Sequence, residues 1–190
     1  MFELDDVLYP QKDYLLQVYY LFSNFLEFTE GHPKASELSE FFKISFGFHG
    51  SQGIFEKAQE AFGIDRKYKD NFERLHTVAR LPLKLLLFQN MLKLMQELVI
   101  DRKSLFIVTN GDPEQQLNKI KQVEWNGLEK YLTVYFANET KPKPDTAVLN
   151  TILETHDLLR RDLVLIGNST TDEEFAGNAG IDYILSTDFK

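Results

Sequence analysis

The spacing of apolar residues divides the chain into an all-helical stretch followed by an alternating one. Between residue 11 and about residue 80, apolar side chains recur three and four positions apart, which is typical of amphipathic helices. The clearest run ends at Gly31 and Pro33 and consists of Leu15, Val18, Tyr19, Phe22, Phe25 and Leu26. The pattern predicts three further helices, over residues 35–46, 54–62 and 68–79.

From residue 83 onward, short apolar runs alternate with amphipathic segments. We expect a long helix over residues 83–99 and then strands and helices in alternation. The strands are predicted at 104–108, 132–136, 163–166 and 181–185, and the helices at 113–123, 144–154 and 173–179. Strands that alternate with helices form parallel βαβ units. The predicted fold class is therefore α/β. A doubly wound parallel sheet is expected in residues 1–10 and 83–190, with a small all-helical subdomain at 11–82 inserted after the first strand.

One feature of this prediction stays open at the amino terminus. A central strand usually has about five or six residues, whereas only Met1 and Phe2 precede Glu3. Either the strand runs through the acidic segment itself, or the native chain begins earlier.

Composition and charge narrow the classes of function. The chain has 190 residues, of which 43% are hydrophobic and 26% charged, a profile typical of soluble globular proteins. The absence of Cys excludes disulfides and thiolate chemistry. A net charge of −8 argues against nucleic acid as a partner. We find no signal peptide and no apolar run of membrane-spanning length, so no membrane partner is expected and cytoplasm is the expected location.

Polar residues of unusual kinds follow four of the predicted strands. Ligands bind at the carboxyl ends of parallel strands, so the loops at these ends are the candidates for chemistry. The loops comprise residues 2–10, 107–112, 140–145 and 164–172. Each has an ordinary structural explanation when taken alone: an acidic turn, a Thr-Asn-Gly turn, a Pro-stiffened surface turn and a helix cap. Their order, spacing and strand context together favour one site.

Taken together, the four loops resemble the four motifs of the haloacid dehalogenase superfamily. The likeness is to its phosphatase-type members, which insert a helical cap between the first and second motifs, and it spans essentially the whole chain. Glu3 and Asp5 stand in the first motif and Thr109 matches the second. Lys141 matches the Lys of a Lys-Pro-x-Pro third motif, and residues 167–172 resemble Gly-Asp-x-x-x-Asp.

The resemblance implies a role for each matching residue. Glu3, Asp5, Thr109 and Lys141 would be catalytic, with Glu3 at the nucleophile's position and Asp5 as the acid and base. A small phosphorylated molecule would be the ligand, and Mg²⁺ the cofactor. The phosphate group would be held by Thr109, Asn110, Gly111 and Lys141, and the metal by Glu3, Asp5, Asn168 and Asp172.

Two positions depart from the motifs of the superfamily. Glu3 replaces the nucleophilic Asp, and its extra methylene moves the attacking oxygen by roughly 1 Å, which can lower a rate on the order of 10²-fold. Asn168 replaces the first acid of the fourth motif, which removes a charge from a site that should favour carboxylates for Mg²⁺.

Three functions are compatible with this pattern. The first is a phosphohydrolase of small metabolites, and the second is a catalytically impaired relative that binds a ligand or partner. The third is a metal-free dehalogenase. Dehalogenases of that branch lack the metal-binding acid of the fourth motif, and this chain lacks it too, with Asn168 in its place. However, they use an Asp nucleophile and have no counterpart of Asp5. Neither the substrate nor the oligomeric state follows from the sequence.

Overall fold

A computed structural model describes residues Met1–Phe189, which form two compact units. The α/β unit comprises residues 1–11 and the described residues from Leu85 onward, and the helical unit comprises Lys12–Lys84. These bounds differ by one and two residues from the predicted division at 10/11 and 82/83.

Eight α-helices and six β-strands form the main elements of the described residues, with short 3₁₀ helices between them. The strands are β1 (Leu85–Leu86), β2 (Leu105–Thr109), β3 (Val123–Glu124), β4 (Leu132–Phe136), β5 (Val164–Gly167) and β6 (Asp182–Leu185). The α-helices are α1 (Gln11–Glu30), α2 (Ala35–His49), α3 (Ile54–Phe62), α4 (Lys69–Val78), α5 (Gln89–Ile100), α6 (Pro113–Gln122), α7 (Ala147–His156) and α8 (Thr170–Ala179). Among the described helices, none combines the length and the apolar character needed to cross a membrane.

The amino-terminal segment lies at the centre of the main parallel sheet. β2 pairs with β4 and β5 pairs with β6, both in parallel. Phe2 forms parallel bridges to Ile107 on one side and to Ile166 on the other. The N–H of Glu3 donates to the carbonyl of Ile166 at 3.0 Å. The sheet order is therefore β4, β2, residues 1–3, β5, β6, and Glu3 leaves the sheet at its middle.

Both faces of this sheet are buried, as the doubly wound α/β class predicts. Alternate strand residues point to opposite faces. Phe106 and Leu165 pack on one face against residues of α7 and α8, such as Phe175. Ile107 and Phe2, on the other face, are also almost fully buried. The predicted α/β class with parallel strands is confirmed.

Aromatic side chains form the interior of the helical unit. Phe72 of α4 lies at its centre, with its ring centroid 5.0 Å from that of Phe22 and 5.7 Å from that of Tyr19. Phe42 and Phe55 complete the contacts around it, at 5.8 and 5.4 Å. The three- and four-residue apolar spacing of α1 therefore marks the face that packs against the other helices.

Two predicted helices begin later in the structure than the sequence pattern indicates. The helix expected over residues 83–99 begins at Gln89, because Leu85 and Leu86 pair with Val123 and Glu124 as short strands. The helix expected at 144–154 begins at Ala147. The apolar pattern of these segments is compatible with a helix or with an extended strand or turn. Contacts of the backbone outside the helix decide between them.

We predict that Phe72→Ala destabilises the helical unit by about 3–5 kcal/mol, because it opens a cavity at the centre of the aromatic cluster. Phe28→Ala is the matched control, since the Phe28 side chain is 93% exposed. Urea unfolding followed by far-ultraviolet circular dichroism measures both. Equal midpoints for the two variants would contradict the packing described for Phe72.

Candidate active site

A pocket of about 280 Å³ opens at the carboxyl ends of the central strands, and all four predicted loops contribute to it. We call it the strand-end pocket. Its lining residues are Glu3, Asp5, Asp6, Gln11, Asn110, Lys143, Asn168, Ser169, Thr171 and Asp172. The sheet brings these residues together because the strands that precede the loops are parallel and adjacent.

A buried lysine joins two carboxylates at the base of this pocket. The ammonium of Lys143 contacts Glu3 Oε2 and Asp172 Oδ1. The three side chains are only 1%, 11% and 2% exposed, respectively. Carboxylates this close to one another repel unless a cation lies between them. Lys143 supplies that cation.

The lysine in the pocket is Lys143, so the expectation that Lys141 would occupy this place is wrong. The Lys141 side chain is 71% exposed and its ammonium lies 3.7 Å from Asp145 Oδ2 at the surface. The side chain of Asn110 binds the backbone of the lysine that enters. Its side-chain amide donates to the carbonyl of Lys143 at 3.0 Å, and its Oδ1 accepts from the Lys143 N–H at 2.9 Å. A Lys-Pro pair occurs at both 141–142 and 143–144, so the local sequence does not distinguish the two lysines.

The surroundings of the two carboxylates shift their pKa values in opposite directions. Burial raises the pKa of Glu3, although the charge of Lys143 and hydrogen bonds from Lys143, Thr109 and the Leu4 N–H oppose this. Burial also acts to raise the pKa of Asp172. There, however, the charge of Lys143 and hydrogen bonds with Lys143, Ser169 and the Asn168 N–H bring the pKa below its ordinary value. Of the two groups, Glu3 therefore accepts a proton more readily.

A tight loop holds Asp172 in this position. Ser169 caps α8, and Asp172 at its third position completes a capping box. The Ser169 hydroxyl donates to Asp172 Oδ2 at 2.7 Å. Gly167 lets the two segments approach, because a Cβ at this position would lie 2.6 Å from the Asp172 Cβ. Asp172 therefore serves in both ways that its motif allowed: it completes the capping box of α8, and it lines the pocket.

Asp5 forms a second carboxylate–lysine pair on the wall of the pocket. Asp5 Oδ2 lies 2.6 Å from the ammonium of Lys119, and the same oxygen accepts from Gln116 Nε2 at 3.2 Å. The hydroxyl of Tyr9 donates to Asp5 Oδ1 at 2.6 Å. Neither Gln116 nor Lys119 was singled out from the sequence. The sequence feature that could have indicated them is the presence of two long polar residues, three positions apart, on the face of α6 that packs inward.

The residues expected to hold phosphate are largely engaged within the protein. Thr109 is fully buried, and its hydroxyl oxygen accepts from Gln116 Nε2 at 2.7 Å. The side chain of Asn110 is used by Lys143, as described above, although Asn110 still lines the pocket. The Gly111 N–H donates to Asn138 Oδ1 at 3.0 Å, and Gly111 is outside the pocket lining. The structure therefore does not place Gly111 where it was expected.

Oxygen atoms suited to a hard cation surround the pocket. Glu3 and Asp172 offer carboxylates, and the exposed Asn168 offers an amide oxygen. Among residues Met1–Phe189, no three His, Asp or Glu side chains form a metal-binding group. Mg²⁺ prefers oxygen ligands, so the oxygens of Glu3, Asn168 and Asp172 are the ones that would hold it. Asn168 makes this set one charge weaker than a site built from three acids.

A pocket of this kind, at the carboxyl ends of a parallel sheet, lies where α/β proteins of this class bind their ligands. Comparison with family models identifies the family. The chain belongs to the haloacid dehalogenase-like hydrolases, whose model matches residues 1–186. A search of curated proteins found no match.

Several solved structures share this fold. A Thermotoga maritima protein assigned as a β-phosphoglucomutase has a TM-score of 0.66 and 16% identity, over 99% of this chain and 94% of that one. A phosphatase of the same superfamily from Thermococcus onnurineus has a TM-score of 0.58 and 21% identity, over 97% and 83%. YfnB from Bacillus subtilis, solved with bound magnesium, has a TM-score of 0.58 and 18% identity, over 97% and 86%.

The two lysines provide a direct test of the site. We expect Lys143→Met to destabilise the α/β unit by about 3–5 kcal/mol, because it leaves two buried carboxylates without their cation. Lys141→Met should change stability by less than about 0.5 kcal/mol, since it removes only a surface pair. Urea unfolding followed by the fluorescence of the single Trp, Trp125, measures both. A greater loss of stability in Lys141→Met than in Lys143→Met would show that Lys141, and not Lys143, is the buried lysine of the pocket.

The close approach at Gly167 generates a second prediction. Gly167→Ala should destabilise the unit by about 1–3 kcal/mol, because the added methyl overlaps Asp172 and displaces it. Gly177→Ala in α8 meets nothing within 4 Å and is the matched control. It should stabilise the helix by about 0.5–1 kcal/mol. Thermal unfolding compares the two, and a neutral Gly167→Ala would contradict the geometry.

Proposed function

We propose that the chain is a phosphoric monoester hydrolase that acts on a small phosphorylated molecule in the strand-end pocket. The observation that supports this most strongly is the arrangement of Glu3, Lys143 and Asp5 in one pocket at the centre of the sheet. Glu3 is a carboxylate beside a fixed cation, and Asp5 is a second carboxylate two residues further along the same loop. Along the sequence, the helical unit is inserted between the first two loops, and we propose that it takes part in substrate choice.

The reaction would proceed in two displacements. In the first, an oxygen of Glu3 bonds to phosphorus while the ester P–O bond breaks, and the leaving oxygen takes a proton from Asp5. In the second, water attacks the phosphorus of the acyl phosphate while Asp5 removes its proton. Phosphate leaves and the Glu3 carboxylate is restored. Lys143 offsets charge near Glu3 throughout, and Asp5 alternates between acid and base.

Magnesium is part of this proposal because of the charge balance in the pocket. Four carboxylates line it, those of Glu3, Asp5, Asp6 and Asp172. Among residues Met1–Phe189, the lysines that form ion pairs with them are Lys143 and Lys119. A phosphate dianion would meet net negative charge. We propose that Glu3, Asn168 and Asp172, with Asp5 beside them, hold Mg²⁺, which would supply the missing positive charge and orient the phosphoryl oxygens.

Slow turnover is the expected consequence of the two altered positions. The extra methylene of Glu3 displaces the attacking oxygen by roughly 1 Å, which corresponds to a loss on the order of 10²-fold in rate. The amide of Asn168 weakens the attraction for a divalent cation.

One observation favours a second candidate, a catalytically impaired member of the family that binds a ligand. Both carboxylate oxygens of Glu3 are engaged: Oε1 accepts from the Leu4 N–H at 2.7 Å, and Oε2 contacts Lys143. Attack on phosphorus therefore requires that Glu3 give up one of these contacts.

Hydrolysis of a generic aryl phosphate, with Mg²⁺ and with a chelator, distinguishes the two candidates. We expect slow, chelator-sensitive turnover from the wild type. The double variant Glu3→Asp with Asn168→Asp should raise the rate on the order of 10²-fold, because it restores both the reach and the charge of the site. Tighter Mg²⁺ binding by Asn168→Asp, measured by calorimetry, should accompany this.

The control is Asn71→Asp, which adds the same charge on α4 outside the pocket and should alter neither rate nor Mg²⁺ affinity. No hydrolysis by the wild type, with activity in the double variant, would favour the impaired relative. No activity in either protein would rule out the phosphatase proposal.

A further inference from the structure

Two buried polar residues on α6 play no part in the reaction proposed above. Gln116 and Lys119 are 3% and 2% exposed, although both carry long polar side chains. They lie three positions apart and therefore on the same face of the helix. A helix that packs against a sheet normally presents apolar residues there, so the identity of these two residues requires an explanation.

Lys119 is directed at the acid of the first loop. Its ammonium lies 2.6 Å from Asp5 Oδ2, with the lysine side chain 3% exposed and that of Asp5 17% exposed. Burying a lysine has a large desolvation penalty, and an apolar side chain of similar shape would fill the same space without it. The burial of Lys119 therefore has a desolvation penalty that packing alone would not require, and its ammonium contacts Asp5.

Gln116 connects this pair to the second loop. Its Nε2 lies 3.2 Å from Asp5 Oδ2, 2.7 Å from Thr109 Oγ1 and 3.0 Å from the Asn110 carbonyl oxygen. One amide group thus spans the acidic loop and the end of β2. A change in the position of Asp5 would be transmitted to Thr109, and the reverse.

We propose that Lys119 is a positioning residue that holds Asp5 in the orientation needed for proton transfer, with Gln116 tying Asp5 to Thr109. This inference rests on the proposed function in assigning proton transfer to Asp5. The orientation itself rests only on the contacts above. Proton transfer requires the acid within hydrogen-bond reach of the reacting oxygen, so a rotated Asp5 fails even when substrate still binds.

Steady-state kinetics tests the role in catalysis. In Lys119→Met we expect kcat to fall on the order of 10²-fold with KM unchanged, because a misplaced acid affects chemistry rather than binding. Lys119→Arg should recover a substantial part of kcat, since it restores a cation at the same place. Lys121→Met, an exposed lysine on the same helix, is the matched control and should retain wild-type kcat and KM. Wild-type kcat in Lys119→Met would overturn the proposal.

Crystal structures of the wild type and of Lys119→Met provide a readout that does not depend on turnover. We expect the Asp5 carboxylate of the variant to rotate away from α6 by about 1 Å or more, the scale at which misplacement impairs catalysis. An unmoved Asp5 would overturn the proposal, whether or not the wild type hydrolyses phosphate esters. If the wild type is inactive but the Asp5 carboxylate rotates in Lys119→Met, the proposed function is wrong, whereas the inference that Lys119 orients Asp5 is supported. Gln116→Met provides the same two readouts should Lys119→Met not fold.

Discussion

The ion pairs of Lys143 with Glu3 and Asp172 are the interaction on which the site depends. Three segments far apart in sequence meet there: the amino-terminal segment, the loop after β4 and the loop after β5. Two carboxylates buried at the centre of a sheet would repel each other and be strongly desolvated without a cation between them. The position of Glu3 is therefore set by charge as well as by the backbone of residues 1–3. The same ammonium holds the cap of α8 in place through Asp172.

A second lysine pairs with the other carboxylate of the first loop. Asp5 is only two residues from Glu3, yet it pairs with Lys119 on α6 rather than with Lys143. Lys143 compensates the charge of the carboxylate that would face phosphorus, and Lys119 contacts the carboxylate that would carry the proton. This separation would let one short loop supply two acids with different roles.

Much of the fold and part of the site followed from the sequence by itself. Apolar spacing predicted the helical character of residues 11–82 and the alternation of strands and helices after it, because each periodicity exposes one face to be buried. The order of the four loops predicted that Glu3, Asp5, Asn168 and Asp172 would meet. The structure places all of them in one pocket, because parallel strands align their carboxyl ends along one edge.

The tertiary structure alone decided which lysine enters that pocket and which residues support it. Lys141 and Lys143 each precede a proline, so the local pattern does not distinguish them. In the structure the Asn110 side chain, thirty-three residues from Lys143, donates to the Lys143 carbonyl and accepts from the Lys143 N–H. Gln116 and Lys119 look like ordinary polar positions on a helix until α6 is packed against the sheet. Contacts between distant segments determine both outcomes, and neither propensity nor periodicity records such contacts.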